Sequence, residues 1–384
     1  MKLIDLFNKT KVEPSNKAFQ VVERNNASFS TSADVNTSDI VKACIRPKVK
    51  AIGKLDAKVL FKEELLEDDM LFLLNEPNEI DTVQTLLEKL TVQLQLNNNA
   101  FAVVYKNKNG KPTSIVPMMS DSTVIVKSKS NNYYVEFKKG NDELVVPYAD
   151  VIHLRQEHNS KEYFGMSPAF SIGNLLKTIT VSDEAVEQAV KNSAKLSWIM
   201  KFNANIKPED MKLRVKEFEE NYLQLQNNGG VAPSDNKYEL EKVKQDVLIP
   251  DTAVQKEKIE RIYNYFGVNE AIVKSDYNED QWSAYYEAEI EPLVKALSHE
   301  FTRKLYNKIE RKKGYKVIFT ATGLQFASME SKLKLVELVD RGLLTPNEVR
   351  KILNLPAIAD GDTPIRRLDT ALVTDDRFKG GDGD

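Results

Sequence analysis

The acidic run around residue 280 comes nearest, by residue type and spacing, to a ligand-binding or reactive site. Asp276, Asn278, Asp280 and Glu287 stand at positions 1, 3, 5 and 12 of a calcium-binding loop. Position 6, where such a loop needs glycine for its sharp turn, is Gln281, and Ala284 at position 9 falls in a stretch patterned as helix. The run therefore reads as a solvated acidic loop, and no metal is expected. A two-metal nuclease would need carboxylates held by several strands of a rigid scaffold, which one loop does not offer.

Other reactive residue types lack partners at the required spacing. His153, His158 and His299 include no H-E-x-x-H pair, and His153 alternates within Val151-Ile152-His153-Leu154-Arg155 as a strand residue would. Gly110-Lys111 precedes Pro112 without the upstream glycine of a phosphate-binding loop, and no G-x-G-x-x-G occurs. In Gly165-Met166-Ser167-Pro168-Ala169 the serine lacks the second glycine of a nucleophile elbow, and the proline makes it a helix cap instead. Cys44 is the single cysteine, which excludes an intramolecular disulfide and fits a reducing compartment. No catalytic residue and no cofactor are expected.

The elements that must carry these residues belong to a chain of 384 residues, long enough for about two to three domains. Hydrophobic residues at 41% and charged residues at 29% are globular values. Lys and Arg number 54 against 57 Asp and Glu, a net charge of −3, so no overall cationic excess exists to coat DNA. No apolar run approaches the ~18 residues of a membrane span. The start, Met1-Lys2-Leu3-Ile4-Asp5, lacks an apolar signal core, so a cytosolic product is expected.

Residues 1–37 are polar and are expected to form a flexible arm. Ile40, Val41, Cys44, Ile45, Val49 and Ile52 then recur at helical spacing, with Cys44 in the core and a kink or division at Pro47. Val83, Leu86, Leu87, Leu90 and Leu94 predict a second helix, ending in Asn97-Asn98-Asn99. Five short runs between Ala100 and Val146 predict one antiparallel meander. Ser167-Pro168 opens a long helix, a β-α-β insertion follows, and a helix from Thr252 stops at Gly267. After a loop, Trp282, Tyr286, Ile290, Leu293, Leu297, Phe301, Leu305 and Ile309 predict a helix of about thirty residues, kinked at Pro292. A strand from Tyr315 precedes two short helices, the second opened by the capping box Thr345-Pro346-Asn347-Glu348.

In this order the elements resemble the portal proteins of long-tailed, siphovirus-type double-stranded DNA bacteriophages. Gly165-Met166-Ser167-Pro168 is similar to the family's opening of a long helix. Ile259-Glu260-Arg261-Ile262-Tyr263-Asn264-Tyr265-Phe266-Gly267-Val268 is similar to a family block whose closing proline is Asn269 here. Residues 278–306, with central Pro292, resemble the family's kinked helix. Gly342-Leu343-Leu344-Thr345-Pro346-Asn347-Glu348-Val349-Arg350, then Asn354-Leu355-Pro356 and Gly361-Asp362, match further, although Ala357 replaces a proline. The resemblance covers roughly residues 38–373.

The resemblance implies an α+β, portal-type subunit. Its parts would be a wing from 38 to 166, stem helices at 167–195 and 249–267, a β-α-β clip at 196–248 and a tunnel loop at 268–281. The kinked helix and a wing strand would follow at 282–326, then a helical crown at 327–372 and a flexible tail at 373–384. It further implies a ring, usually a dodecamer, at the capsid vertex of a virion, assembled in the host bacterial cytoplasm. Its partners would be the large terminase ATPase, the major capsid or scaffold protein, head-tail adaptors and the double-stranded DNA passing through, with no membrane. Lys274, Asp276, Tyr277, Asn278, Glu279 and Asp280 become candidate channel residues. From Glu270 to Glu291 seven acids face Lys274 alone, so carboxylates would repel the DNA backbone while Lys274, Tyr277 and Asn278 touch it briefly. Two other classes fit parts of the sequence: a metal-dependent DNA-processing enzyme, and a head adaptor, usually a much shorter chain.

Overall fold

The computed structural model describes residues 19–25, 35, 37–158, 163–193, 198–202, 207–218, 238–242, 252–321, 335–353 and 355–365. The chain divides into two compact units, one formed by Leu175–Ile259 and the other by the sequence on either side. No described helix is long and apolar enough to cross a membrane.

The larger unit contains three sheets. In the first, β1 (Phe19–Asn25) pairs with β6 (Ser122–Ser128), followed by β7 (Tyr133–Lys139) and β8 (Asp142–Pro147), all antiparallel. Within the segment expected to be a flexible arm, residues 19–25 thus form an edge strand, while 1–18 and 26–34 lie outside the described residues. Phe19-Gln20-Val21-Val22 is a short β-prone run inside a polar stretch, and its edge position needs only one partner strand. In the second sheet, β4 (Asn99–Lys106) lies between β5 (Pro112–Met118) and β9 (Val151–Arg155).

The expected single meander is thus two sheets, and β5 does not pair with β6. The reason is burial. Phe101, Val103, Met118, Ile125, Val135, Phe137, Leu144 and Val146 form one core cluster drawn from both sheets, so each layer covers the other's apolar face. Phe101 and Phe137 meet edge to face at 5.5 Å.

The third sheet joins distant sequence. β2 (Leu55–Phe61) pairs on one side with β3 (Glu64–Leu65) and on the other with β12 (Tyr315–Ala321). Ser38 caps α1 (Asp39–Gly53), which runs through Pro47 as one helix rather than dividing there. Cys44 is fully buried in it, and burial pushes its thiol up to about 12, so the side chain is an inert packing group. The short α2 (Asp69–Asn75) and the longer α3 (Val83–Asn97) follow, α3 ending at Asn98 with φ of +55°.

The long kinked helix is three helical pieces and a turn. α8 (Glu279–Tyr285) runs into a π turn at Tyr286–Ile290 and continues as α9 (Glu291–Leu305). Pro292 has no N–H for the carbonyl four residues back, and the wider turn just before it absorbs the missing bond. Tyr306 is extended and Asn307 caps a new helix, α10 (Lys308–Lys313), so the apolar stripe stops at Leu305 and Ile309 is 67% exposed.

α9 also closes two sheet edges. Thr302 Oγ1 accepts from Val317 N–H at 2.9 Å and donates to Val317 O at 3.0 Å, while Ser298 Oγ accepts from Phe319 N–H at 3.0 Å. Glu300, on another side of the helix, accepts from His153 N–H of β9 at 3.4 Å. Short polar side chains thereby satisfy backbone groups of β12 and β9 that no strand pairs, which keeps these edges from recruiting other chains.

Near the C-terminus, α11 (Leu335–Asp340) and α12 (Pro346–Ile352) pack Leu335, Val339 and Val349 together. The expected capping box is present, with Glu348 N–H donating to Thr345 Oγ1 and Thr345 N–H to Glu348 Oε2. The tail at 373–384 lies outside the described residues.

α4 (Pro168–Ser193) and α6 (Thr252–Tyr265) each run from one unit into the other. The smaller unit also holds β10 (Trp198–Phe202), α5 (Pro208–Phe218) and β11 (Tyr238–Lys242), with β10 and β11 antiparallel. That is the β-α-β order read from sequence; residues 219–237 and 243–251 of this region lie outside the described ones.

Where α3 hands over to β4, the triple asparagine does more than stop a helix. Asn98 Nδ2 donates to Met166 O at 2.6 Å and to Tyr265 Oη at 3.3 Å, tying the residue before the α4 cap to the last residue of α6. Asn99 exchanges two bonds of 2.8 Å with the backbone of Gly165 and accepts from His153 Nε2 at 3.2 Å. Because Asn99 Oδ1 is an acceptor, the neutral imidazole carries its proton on Nε2 and accepts from Tyr148 Oη, at 3.0 Å, on Nδ1.

Burial, with Arg155 and Lys304 nearby, holds His153 down to about 3. The unfolded chain binds a proton near 6.5 that the folded chain refuses. Stability should therefore fall as pH drops from about 6.5 toward about 3. Urea midpoints at pH 7 and pH 5 should separate more for the wild type than for His153→Gln. Equal separation would assign the acid sensitivity to other groups.

Candidate functional site

The acidic segment is a short excursion between buried anchors. α6 gives way to Gly267, at φ +63°, where an added Cβ would lie 2.2 Å from Glu289 Oε1. Glu289 belongs to the π turn and pairs with buried Lys48 of α1 at 2.6 Å, so the carboxylate beside Gly267 at one end of the excursion is itself anchored to α1. The stretch expected to be a loop contains a helical turn, α7 (Glu270–Lys274), which Asn269 caps by accepting from Ile272 N–H at 2.9 Å. Asparagine thus performs a capping role that the family's proline could not.

Ile272, Trp282, Tyr285 and Ile290 are buried, whereas every residue from 274 to 281 is exposed. Ser275, at φ +61°, reverses the chain after α7. Tyr277 stacks on Trp282 with ring centroids 4.9 Å apart. Asn278 caps α8 in a reciprocal box with Gln281, their bonds measuring 2.8 and 3.0 Å. Its side-chain oxygen is committed to the backbone, and Asp280 sits in the first helical turn, so the residues spaced for a calcium loop are organised as a helix start. Among the described residues no group of three or more His, Cys, Asp or Glu could hold a metal ion.

All six candidate residues come together on this exposed tip, but the charge count needs correcting. Lys274 is bonded to Glu270 at 2.6 Å, and this partner raises its pKa. Glu289 is paired with Lys48 and Glu291 with Lys295, at 2.6 and 2.7 Å. Three of the seven acids therefore have ammonium partners, and Lys274 is not a lone free cation. The partners Lys48 and Lys295 lie outside the sequence window that suggested seven against one. Asp276, Glu279 and Asp280 lie close together in sequence on the exposed tip. The asparagine anchors of α4 and α6 were missed in sequence, where their only signal was an unusual triple run of one polar residue.

This fold is shared with tailed-particle proteins. A chain from the neck of an empty gene transfer agent particle, computed with six-fold symmetry, superposes with a TM-score of 0.67 at 16% identity, covering 88% of this chain and 97% of that one. A chain from the native particle's neck, computed with twelve-fold symmetry, gives 0.60 at 17% identity, covering 85% and 94%. In sequence, the portal protein of Enterobacteria phage HK97 is 22% identical over 325 residues, 78% of this chain and 72% of that protein. The phage portal protein family matches residues 39–354, and the chain belongs to that family. The portal reading is thereby selected over the metal-dependent DNA-processing enzyme and the head adaptor, and it places the protein among the structural components of the virion.

Proposed function

We propose that the chain is one subunit of a dodecameric ring whose central channel passes double-stranded DNA into and out of the capsid, without catalysis of its own. The observation that carries this reading is the family match across residues 39–354. Necks holding chains of this fold have been computed with six-fold and with twelve-fold symmetry, and both are compatible with a ring of twelve. Residues 38–166 and 282–326 would form the wing, α4 and α6 the stem, residues 196–248 the clip, 268–281 the tunnel loop and 327–372 the crown. The clip would dock the large terminase ATPase and later the head-tail adaptors, and the wing would meet the major capsid or scaffold protein.

The geometry suits this role at two points. Phe170, Val181 and Val190 of α4 are exposed in the single chain at 82%, 55% and 63%, apolar surface that a neighbouring copy would cover. In a closed ring such contacts join unlike faces of adjacent subunits. The tip at 274–281 presents carboxylates, which suit a wall that DNA slides past rather than grips. Mass photometry and electron microscopy of the purified protein test the ring directly. Closed rings are expected, formed alone or on adding the scaffold protein, and a protein that stays monomeric or dimeric under both conditions would refute the reading.

A further inference from the structure

The larger unit carries a cleft that the channel reading does not use. Its volume is about 1110 Å³, slightly above the roughly 300–1,000 Å³ typical of small-molecule sites, which leaves room for a length of chain. The start of α2, the β4–β5 and β6–β7 turns, the end of β8 and residues 303–315 together form its wall.

The cations in that wall are unevenly engaged. Lys106 is paired with Asp150 at 2.5 Å, and Arg303 and Lys304 lie 3.7 and 3.6 Å from Glu300. Lys111, Lys308, Arg311 and Lys313 have no carboxylate partner among the described residues. Of the acids present, Asp68 and Glu310 are committed to helix caps, accepting from Met70, Leu71 and Asn307 N–H groups. Two residues of the wall also hold buried donors without a hydrogen-bond partner, Tyr306 Oη and Arg311 Nε. A cleft with spare cations and unused donors calls for acceptors. Tyr133, Tyr134 and Tyr148 add aromatic surface to the same wall.

We propose that this cleft docks an acidic peptide segment, interrupted by aromatic residues, from a partner protein. The segment's carboxylates meet Lys111, Lys308, Arg311 and Lys313, and its rings pack against the tyrosines. A nucleic-acid strand fits less well. It is charged at every unit and would bring phosphates against Asp68, Asp69 and Glu310, where a peptide can place neutral residues.

Fluorescence anisotropy of a labelled peptide of three Glu-Glu-Tyr repeats, titrated with the full chain, tests the proposal. A Lys-Lys-Tyr repeat and a single-stranded oligothymidylate of matching length serve as comparison probes. The acidic peptide should bind and the basic one should not. Lys111→Glu with Lys308→Glu should weaken binding about tenfold or more, while Lys312→Glu, on the same helix but outside the cleft wall, should change it less than about twofold. Lys308 opens α10, where the helix dipole favours glutamate, so the double variant does not threaten the fold. Absence of peptide binding, equal losses in the two variants, or tighter binding of the oligothymidylate would each overturn the proposal.

Discussion

A Gly165→Ala protein is expected to lose about 4 kcal/mol of stability or fail to fold, a large share of the roughly 5–15 kcal/mol that holds a domain together. A Cβ at this position would sit 2.2 Å from Gln156 O and 2.4 Å from Asn98 O, both backbone atoms that cannot swing aside. Relief requires parting the segments that Gly165 joins. That motion breaks its two 2.8 Å bonds with Asn99 and strains the 3.1 Å bond from Gln156 N–H to Asn98 O. Overpacking costs about 1–3 kcal/mol, and each buried group left unsatisfied about as much again. The damage falls at the root of α4, since the next residue, Met166, is held by Asn98. Gly173→Ala is the control: an added Cβ there meets nothing within 4 Å, and alanine should stabilise that helix by about 0.5–1 kcal/mol. Urea midpoints and soluble yields of the two variants decide the matter. A wild-type midpoint for Gly165→Ala would show that the close approach is not structural.

This glycine illustrates what the sequence can and cannot reveal. Helical spacing, proline at first turns and the capping box at Thr345 are local signals, and α1, α3 and α12 lie where those signals place them, whereas the caps at Ser38 and Asn278 emerge only from the structure. Pairing is not local. β2 bonds to β12 across some 250 residues of chain, and β4 bonds to β9 rather than continuing one meander, because the choice is set by which apolar faces can cover each other. Buried polarity is equally hidden: Asn98 and Asn99 read as a helix stop, yet their partners Gly165 and Met166 arrive from the segment just before α4 and Tyr265 from the end of α6. The acidic segment was legible as a composition, and Glu270–Lys274 and Glu291–Lys295 stand at i,i+4 spacing, but the pairing of Glu289 was not legible, since Lys48 reaches it from 241 positions away. The basic cleft was legible only in part: Arg303, Lys304, Lys308, Arg311 and Lys313 form a basic run in sequence, but Lys106 and Lys111 reach the same wall from the β4–β5 hairpin.

The other large effect concerns that tip. Replacing Asp276, Glu279 and Asp280 together by lysine should leave ring assembly intact while slowing or stalling DNA packaging. The frame is expected to survive because Ile272, Trp282, Tyr285 and Ile290 anchor it from inside, and the Asn278–Gln281 box still starts α8. Lysines in the first turn of α8 oppose the helix dipole at about 0.3–1 kcal/mol each, a tolerable loss at an exposed position. The change in field is much larger. Three carboxylates becoming three ammoniums alters each subunit by six charges, and a ring repeats that alteration around the whole channel. On the proposed channel-wall reading, every phosphate then neutralised adds affinity with a salt slope near −0.9, so that a wall that repels DNA would become one that holds it. Raising the ionic strength should restore packaging by screening the new attraction, whereas a folding defect would not recover. The neutral set, Asp276→Asn, Glu279→Gln and Asp280→Asn, should fall between the two. Nuclease-protected DNA in a packaging reaction gives the readout, with electron microscopy reporting assembly. Normal packaging at low salt by assembled lysine-variant rings would remove the tip from the channel wall, and loss of the rings themselves would place these residues at a subunit interface.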